Sequence, residues 1–237
     1  MKILILAGNT IRSNTYSQYL ASNLFEIEGL FYGFRQKEYQ APKLNHETKH
    51  FFMENNLMLP DLELGIEEVF DNNSWNYCHT DQYDVNAEKI LNKIQSLSPD
   101  LVIFSGYGGQ ILKKGHFDLN IPYLHMHPGD IPSERGSTTI YYSILNKRPC
   151  TVTAFLMNEK IDSGDIILKS KYYIPGSNVN IDQYYDNIIR ANCLIDALNS
   201  IIQKKDVDPF PDNENSLEYY IIHPILKNIS ILSLKNE

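Results

Sequence analysis

Two short apolar runs, residues 2–7 and 101–104, constrain the fold more than any other feature of this sequence. Both are dominated by Ile, Leu and Val, and both end at turns that contain glycine. Continuous apolar runs of this length are typical of parallel strands that are covered on both faces. Helical spacing of apolar residues follows the first run, at about residues 16–24, and precedes the second, at residues 85–97. The sequence therefore predicts an α/β fold of the doubly wound, Rossmann-like type.

The rest of the chain continues this alternation of helices and strands. Ser13, Asn14 or Thr15 is predicted to cap the first helix, and residues 32–85 are predicted to form loops and short elements. Residues 1–203 are expected to form one domain, and residues 204–237 a linker with Pro209 and Pro211 followed by a short docked extension. The remaining predicted elements are helices at 111–115, 137–145 and 182–202 and strands at 122–127, 151–158 and 165–173.

Composition excludes several classes of protein. The net charge of −8 disfavours a nucleic-acid partner, because no basic excess is available to neutralise phosphates. The three cysteines, Cys78, Cys150 and Cys193, form no C-x-x-C pair and predict reduced thiols rather than a disulfide scaffold. No apolar run approaches the roughly 20 residues of a membrane span, and the first run is too short for a signal peptide. We therefore expect a soluble, cytoplasmic protein without a membrane partner.

Two histidines lie at the end of a predicted strand. His125 and His127 are two positions apart, so their side chains project from the same face of the strand, and Pro128 ends the ladder there. Asp162 lies in an acidic turn between two later strands, which by itself is an ordinary turn. The loop at 105–110 opens at the carboxyl end of a strand, where open α/β sheets bind ligands. The turn after the first strand has a single glycine, so no dinucleotide-binding pattern is present.

The order H-x-H-P-G-x-x-P-x-x-R-G, then a helix, a strand and I-D-S-G-D, resembles the N-formyltransferase family. The resemblance covers residues 97–173 and the first strand more loosely. It implies a Rossmann-like domain with a mixed, mostly parallel sheet flanked by helices, N10-formyltetrahydrofolate as formyl donor, and no metal. The matching segments are Pro99-Asp100, Gly108-Gly109-Gln110, His127-Pro128, Ile131-Pro132, Arg135-Gly136 and Ile161-Asp162.

The resemblance also implies roles for individual residues. His127 and Asp162 match the catalytic His and Asp of the family, whereas His125 occupies the position of a catalytic Asn. The substrate is expected to contact Arg135, Gly136 and Asn9. Main chain around the donor is expected to come from Tyr107, Gly108, Gly109, Gln110 and Ile111 and from Asn158, Lys160 and Ile161.

Formyl transfer defines what these side chains must do. An amine attacks the formyl carbon, so the oxyanion that develops needs a hydrogen-bond donor and the amine must lose a proton. A His beside a carboxylate suits the proton transfer, because the carboxylate raises the pKa of the imidazole and orients the ring. Two roles stay open for His125, which are donor to the oxyanion and second base.

Chain length favours one branch of the family. Methionyl-tRNA formyltransferases have a further tRNA-binding domain, and glycinamide ribonucleotide formyltransferases a glycine-rich phosphate loop. The preferred acceptor is a small-molecule amine, namely an amino sugar, nucleotide-linked or of the nonulosonic type, for surface polysaccharides. Whether the chain forms a homodimer is left open. Residues 219–224 are expected to lie either at the mouth of the active site or in a dimer contact.

Two alternatives also stay open. One is a zinc-dependent amide hydrolase that uses the His-x-His pair with His116, His223 or Asp130 as a third ligand. The other is a catalytically altered folate-binding module.

Overall fold

Seven strands form one mixed sheet in the computed structural model, which describes residues 1–34, 41, 43–206, 208–209 and 217–234, with backbone only at 217. The strands are β1 (Ile3–Gly8), β2 (Glu28–Tyr32), β3 (Tyr77–Thr80), β4 (Leu101–Ser105), β5 (Tyr123–His127), β7 (Cys150–Leu156) and β8 (Ile166–Tyr172). Their order is β3-β2-β1-β4-β5-β7-β8, with parallel pairing from β3 to β5 and antiparallel pairing of β7 with β8. This is the mixed, mostly parallel sheet that the sequence predicts.

Helices flank the sheet. They are α1 (Ile11–Ser22), α2 (His46–Glu54), α3 (Ile66–Asn72), α4 (Glu88–Leu97), α5 (Lys114–Phe117), α6 (Thr139–Leu145), α7 (Asp186–Ile202) and α8 (Pro224–Ser233). A π-helical turn, Ile181–Tyr185, precedes α7. None of the helices within the described residues is long and apolar enough to cross a membrane.

The chain divides into two compact units. Unit 1 comprises Met1–Ala41, Pro60–His125 and Leu156–Glu159, and unit 2 comprises Pro42–Leu59, Met126–Phe155 and Lys160–Glu237. Because both units draw on several parts of the sequence, the predicted boundary between residues 203 and 204 stays a prediction. Pro211 and most of the predicted linker lie outside the described residues.

Unit 1 has a core of strand and helix side chains. Leu4 and Leu6 of β1 pack with Val102 of β4, and Ile90 and Ile94 of α4 cover them. All five side chains are fully buried. Burial of each large aliphatic side chain stabilises a fold by about 1.5–3 kcal/mol, so this layer fixes the strand ends from which the loops of unit 1 emerge.

Unit 2 is held together by its C-terminal segment as well as by α7. A second, two-stranded sheet pairs β6 (Glu134–Gly136) in parallel with β9 (Leu217–Tyr219). Helix α8 packs against α6, where the hydroxyl of Ser230 donates to the carbonyl oxygen of Tyr141 at 3.2 Å. Asp208 forms an isolated antiparallel bridge with Ile166 of β8.

Several predicted boundaries were wrong. Helix α1 begins at Ile11 and is capped by Thr10, whose side chain accepts from the N–H of Ser13. The predicted caps, Ser13, Asn14 and Thr15, instead lie within the helix and are buried. The Ser13 hydroxyl donates to the carbonyl oxygen of Ser105 at 2.9 Å. Helix α4 begins three residues later than predicted, and α5 lies at 114–117 instead of 111–115.

Candidate active site

His127 is the last residue of β5 and is almost completely buried in unit 2. Its Nε2 lies 2.7 Å from the carbonyl oxygen of Glu134, which can only accept a hydrogen bond. In the neutral ring the proton is therefore on Nε2, and Nδ1 carries the lone pair. That lone pair lies 3.5 Å from Oδ1 of Asp162. The main chain thus fixes both the tautomer and the direction of the basic nitrogen.

Asp162 is held in a strained turn beside the imidazole. Its φ of 44° lies in the left-handed region, which non-glycine residues rarely adopt and which clusters at functional sites. Its Oδ2 accepts a hydrogen bond from the N–H of Gly136 at 2.7 Å. The Asp162 side chain is 15% exposed, against 3% for His127. The carboxylate is therefore the member of the pair that is accessible to a small molecule.

Gly136 supports the carboxylate because its position admits no side chain. Its φ is 98°, and a Cβ there would lie 2.9 Å from the main-chain N of Tyr219 and closer still to its carbonyl oxygen. Tyr219 is the register partner of Gly136, and its carbonyl oxygen accepts from the N–H of Ser137 at 2.8 Å. Strand β9 thus holds the amide that anchors Asp162.

Burial controls the protonation of His127. Burial lowers the pKa of His127 below its ordinary value, whereas Asp162 and the hydrogen bond to Glu134 raise it and Arg190 lowers it slightly. Asp162 raises the pKa of His127, as the sequence analysis expects of a neighbouring carboxylate, but burial lowers it by more. His127 is consequently neutral at neutral pH, with Nδ1 ready to accept a proton and Asp162 placed to stabilise the imidazolium that results.

The residue that orients His127 was not identified from the sequence. Glu134 acts through its carbonyl oxygen, so its side-chain type gives no signal of the role. Its buried carboxylate accepts from the hydroxyl of Ser143 and the N–H of Asp130, both at 3.2 Å, and pairs with Arg148 at 3.0 Å. These contacts fix the turn that carries the carbonyl.

Arg190 of α7 is a second such residue. Its Nη1 donates to the carbonyl oxygen of Met126 at 3.3 Å, next to His127 in the chain. It also forms a two-pronged ion pair with Asp186, at 2.7 and 2.9 Å. The spacing of Asp186 and Arg190, one helical turn apart, is the only signal of this pair in the sequence.

His125 contacts Phe104 of unit 1. Its Nδ1 lies 3.3 Å from the carbonyl oxygen of Phe104, and its ring tilts against the Phe104 ring at 5.9 Å between centroids. Because a carbonyl oxygen only accepts, the proton of the neutral ring is on Nδ1 and the lone pair on Nε2. Donation from Nε2 to an oxyanion therefore requires the protonated, imidazolium form of the ring. Of the roles left open by the sequence, donation from Nε2 of the neutral ring is excluded.

The glycine-bearing loop of unit 1 presents its main chain to solvent. Gly108 and Gly109 are exposed, and a Cβ built on either would have no heavy atom within 4 Å. The φ of Gly109 is 80°, a conformation that favours glycine. Ile111 is half exposed. This open backbone suits the predicted recognition of a ligand by main-chain groups.

Tyr107 and Gln110 use their side chains within unit 1. The Tyr107 ring fits against Gly8 and Gly33, where a Cβ would lie 2.8 and 2.7 Å from it. Its hydroxyl accepts from the N–H of Asn9 at 3.2 Å, and the buried Oδ1 of Asn9 has no hydrogen-bond partner among the described residues. Gln110 accepts from Tyr32 and donates to the carbonyl of Tyr83, both at 2.7 Å.

The other predicted contacts lie on the surfaces of their units. Arg135 is half-buried on β6 of unit 2, next to Gly136. The predicted donor-binding residues Asn158, Lys160 and Ile161 are all exposed. These roles stay predictions.

The predicted third zinc ligands are engaged in other contacts. His116 is buried, with one ring nitrogen 3.0 Å from the hydroxyl of Tyr123 and the other 3.0 Å from the carbonyl of Val85. His223 accepts from the N–H of Ile225 at 3.3 Å, and Asp130 pairs with Lys169 at 2.7 Å. The part of the chain that the structure describes holds no group of three or more His, Cys, Asp or Glu placed to bind a metal ion.

Known proteins of two kinds resemble the chain. A methionyl-tRNA formyltransferase of Campylobacter lari is 29% identical over 183 residues, which are 75% of this chain and 53% of that protein. A sugar N-formyltransferase from Shewanella sp. FDAARGOS_354 has a TM-score of 0.59 and 17% identity, over 99% of this chain and 88% of that chain. WlaRD, a sugar 3N-formyltransferase whose structure was solved in the presence of dTDP and 5-N-formyl-THF, has a TM-score of 0.54 and 19% identity. The match covers 93% of this chain and 69% of that chain.

These comparisons differ in what they establish. The chain spans about half the length of the curated relatives it matches. The solved structures, at less than 20% identity, share the fold with this chain along nearly its whole length. No family model matches the chain.

Proposed function

The chain belongs to the N-formyltransferase family, and we propose that it transfers a formyl group from N10-formyltetrahydrofolate to the amine of a small molecule. The observation that carries the proposal is the pair His127–Asp162. The imidazole is buried and neutral with Nδ1 facing the carboxylate at 3.5 Å, and the carboxylate is anchored on the N–H of Gly136. Such a pair can take a proton from an attacking amine without exposing a charge to water.

The chemistry divides between the two side chains. N10-formyltetrahydrofolate, when bound, supplies an electrophilic formyl carbon, which forms the new C–N bond as the bond to N10 of the folate breaks. Asp162, the more exposed member, attracts and orients the amine as it becomes positively charged. His127 takes the proton on Nδ1, and the resulting imidazolium is stabilised by Asp162 and by the carbonyl oxygen of Glu134. The same proton is then available for N10 of the departing folate.

Donor binding is assigned to main-chain groups in this proposal. The open backbone at Gly108 and Gly109 supports this role for residues 107–111, and Asn158, Lys160 and Ile161 are proposed to contribute the rest. Arg135 and Asn9 are proposed to contact the acceptor. Gly136 is proposed to act through Asp162, since its N–H already binds that carboxylate.

We propose an amino sugar as the acceptor, nucleotide-linked or of the nonulosonic type, in cytoplasmic synthesis of surface polysaccharides. A sugar N-formyltransferase shares the fold along nearly the whole chain, but a methionyl-tRNA formyltransferase does so too, so charge carries the choice. The net charge of −8 favours a small acceptor over tRNA, whose backbone would be repelled. Three cysteines in thiol form, Cys78, Cys150 and Cys193, accord with a reducing compartment.

The proposal is tested by folate turnover on a panel of amines. Purified protein is incubated with N10-formyltetrahydrofolate and amino-sugar nucleotides, free nonulosonic amines or initiator methionyl-tRNA, and formylated product is measured by mass spectrometry. His127→Asn is expected to lower turnover by about 10²–10⁴-fold. The matched control is His50→Asn, an exposed His of unit 2, which should leave turnover unchanged. No product with any amine, or equal activity of the two variants, would overturn the assignment.

The role of His125 is tested by pH. If Nε2 donates to the oxyanion, the ring must be protonated, and wild-type kcat should fall as the pH rises while His125→Asn removes that fall. If His125 is a second base, kcat should instead rise with pH. The donor role is rejected if the Asn variant loses turnover at every pH while still binding the folate, because an amide N–H can also donate.

A further inference from the structure

Two cavities of unit 2 meet at the end of strand β8. The first, of about 300 Å³, is lined by the end of α2, by β8 and by α7. The second, of about 560 Å³, is lined by β8 and by the turn that precedes β7. Three consecutive residues line both cavities: Lys171, Tyr172 and Tyr173. Volumes of about 300–1,000 Å³ are typical of sites for small molecules.

The first cavity offers both a hydrogen-bond donor and an acceptor. Asn192 of α7 donates from Nδ2 to the hydroxyl oxygen of Tyr172 at 3.3 Å, so the O–H of Tyr172 remains to be donated. Burial raises the pKa of Tyr172, which keeps that proton in place at neutral pH. Asn55 donates from Nδ2 to the carbonyl oxygen of Phe51 at 2.7 Å, which leaves its Oδ1 as an acceptor. A donor and an acceptor side by side suit the hydroxyl groups of a sugar.

The boundary between the two cavities adds an aromatic ring. The side chain of Tyr173 is 79% exposed. Its main chain is fixed, because its carbonyl oxygen accepts from the hydroxyl of Tyr185 at 2.7 Å. A Tyr ring is a large, rigid, mostly apolar surface. Held in this way, the ring can pack against the C–H face of a sugar.

The charges at the two cavities are all positive. Lys147 and Lys171 line them, and no Asp or Glu is among the described residues that do so. The chain as a whole carries a net charge of −8, so a purely cationic lining departs from the rest of the molecule and attracts an anion. Nucleic acids are bound by many cations that neutralise successive phosphates. Two lysines match a single acidic group on a small molecule instead.

We propose that the two cavities form a binding site for a sugar that bears an acidic group. The ring of Tyr173 packs against the sugar, Tyr172 and Asn55 bind its hydroxyl groups, and Lys171 pairs with the acidic group. That group is the carboxylate of a nonulosonic acid or the phosphate of a nucleotide-linked sugar. None of the lining residues belongs to the candidate active site, so this binding site does not depend on formyl transfer.

The experiment measures binding to the full chain by isothermal titration calorimetry with three probes. N-acetylneuraminic acid carries a carboxylate, UDP-N-acetylglucosamine a diphosphate, and N-acetylglucosamine no charge. None of them has a free amine, so none can accept a formyl group. At least one acidic probe is expected to bind at least about 10-fold more tightly than the neutral probe, because charge-assisted hydrogen bonds are stronger than neutral ones. The acidic probe that binds identifies the acidic group, and the proposal is overturned if neither binds more tightly than N-acetylglucosamine.

Variants locate the bound probe. Lys171→Gln is expected to raise the dissociation constant by about 10-fold and Tyr173→Ala by about 5-fold. The matched control is Lys205→Gln, because Lys205 is also exposed in unit 2 but lines neither cavity, and binding should be unchanged. His127→Asn should also bind the probe as the wild type does, which separates this site from the candidate active site.

Thermal midpoints establish that each variant is folded, so that a loss of binding is not a loss of fold. Binding that survives both Lys171→Gln and Tyr173→Ala overturns the proposal, and so does binding that is lost in His127→Asn. Formyl transfer is measured separately with amine acceptors, so its failure would leave these outcomes unchanged.

Discussion

Replacing Gly136 by Ala tests whether strand β9 supports the carboxylate of Asp162, the proposed catalytic group. The methyl group would be placed against the main chain of Tyr219, 2.9 Å from its N and nearer its carbonyl oxygen, at a residue whose φ is 98°. Relief requires β6 and β9 to separate or residue 136 to leave the left-handed region. Either movement withdraws the N–H that now lies 2.7 Å from Oδ2 of Asp162.

The expected effect follows from two terms. A non-glycine residue held in this region of backbone space costs about 1–3 kcal/mol. Loss of a hydrogen bond to an ionised carboxylate costs about 1.5–3 kcal/mol. The free energy of unfolding should therefore fall by about 3–5 kcal/mol, and the thermal midpoint by roughly 6–20 °C for a chain of this size. Turnover should fall by about 10²-fold, since Asp162 loses its anchor.

The assay compares Gly136→Ala with Gly176→Ala by urea unfolding and by folate turnover. Gly176 lies in the same unit, its φ is outside the left-handed region, and a Cβ there would have no atom within 4 Å. The control should be as stable as the wild type or more so, because Ala restricts the unfolded chain. If Gly136→Ala unfolds within 1 kcal/mol of the control and keeps more than a third of its turnover, the proposed support by β9 is refuted.

Three further predictions follow from the same contacts. Asp162→Asn should lower kcat by about 10²–10⁴-fold in steady-state kinetics with little change in the urea midpoint, and unchanged kcat would contradict the assignment. Burial lowers the pKa of His116 and His127 in the folded protein. Below the ordinary His pKa the unfolded chain therefore binds more protons at these two residues than the folded protein does. The urea midpoint should therefore fall as the pH drops below about 6.5, the ordinary His value, and a midpoint that rises would refute this. Tyr107→Phe should lower the free energy of unfolding by about 1 kcal/mol, since Asn9 loses its acceptor, and a more stable variant would contradict it.

Strands made of a continuous apolar run could be predicted from the sequence, and two strands without such a run could not. Strands β1 and β4 were located to within one residue because every position is apolar or small and buried. Strand β2 begins with Glu28-Gly29, and β3 reads Tyr-Cys-His-Thr at the edge of the sheet. Neither gives a continuous apolar run or a clean alternation, so both fell within or beside the region predicted as loops and short elements.

Contacts made by the main chain explain what was missed at the candidate site. The sequence singled out His127, Asp162 and Gly136, and the structure brings these three together. The amino-acid sequence contains no sign that the Glu134 carbonyl sets the tautomer of His127, because any residue has a carbonyl. The depth of burial that lowers the pKa of His127 likewise depends on residues distant in sequence.

The pairing of Gly136 with Tyr219 also determines when, during synthesis of the chain, the candidate site can form. The two residues are 83 positions apart (219 − 136), so the ribosome completes β5 and the turn at Asp162 well before it supplies β9. Until residues 217–219 leave the exit tunnel, the amide that anchors the carboxylate lacks its partner strand. We expect the nascent chain to acquire the geometry of the candidate site only after β9 has emerged and paired with β6.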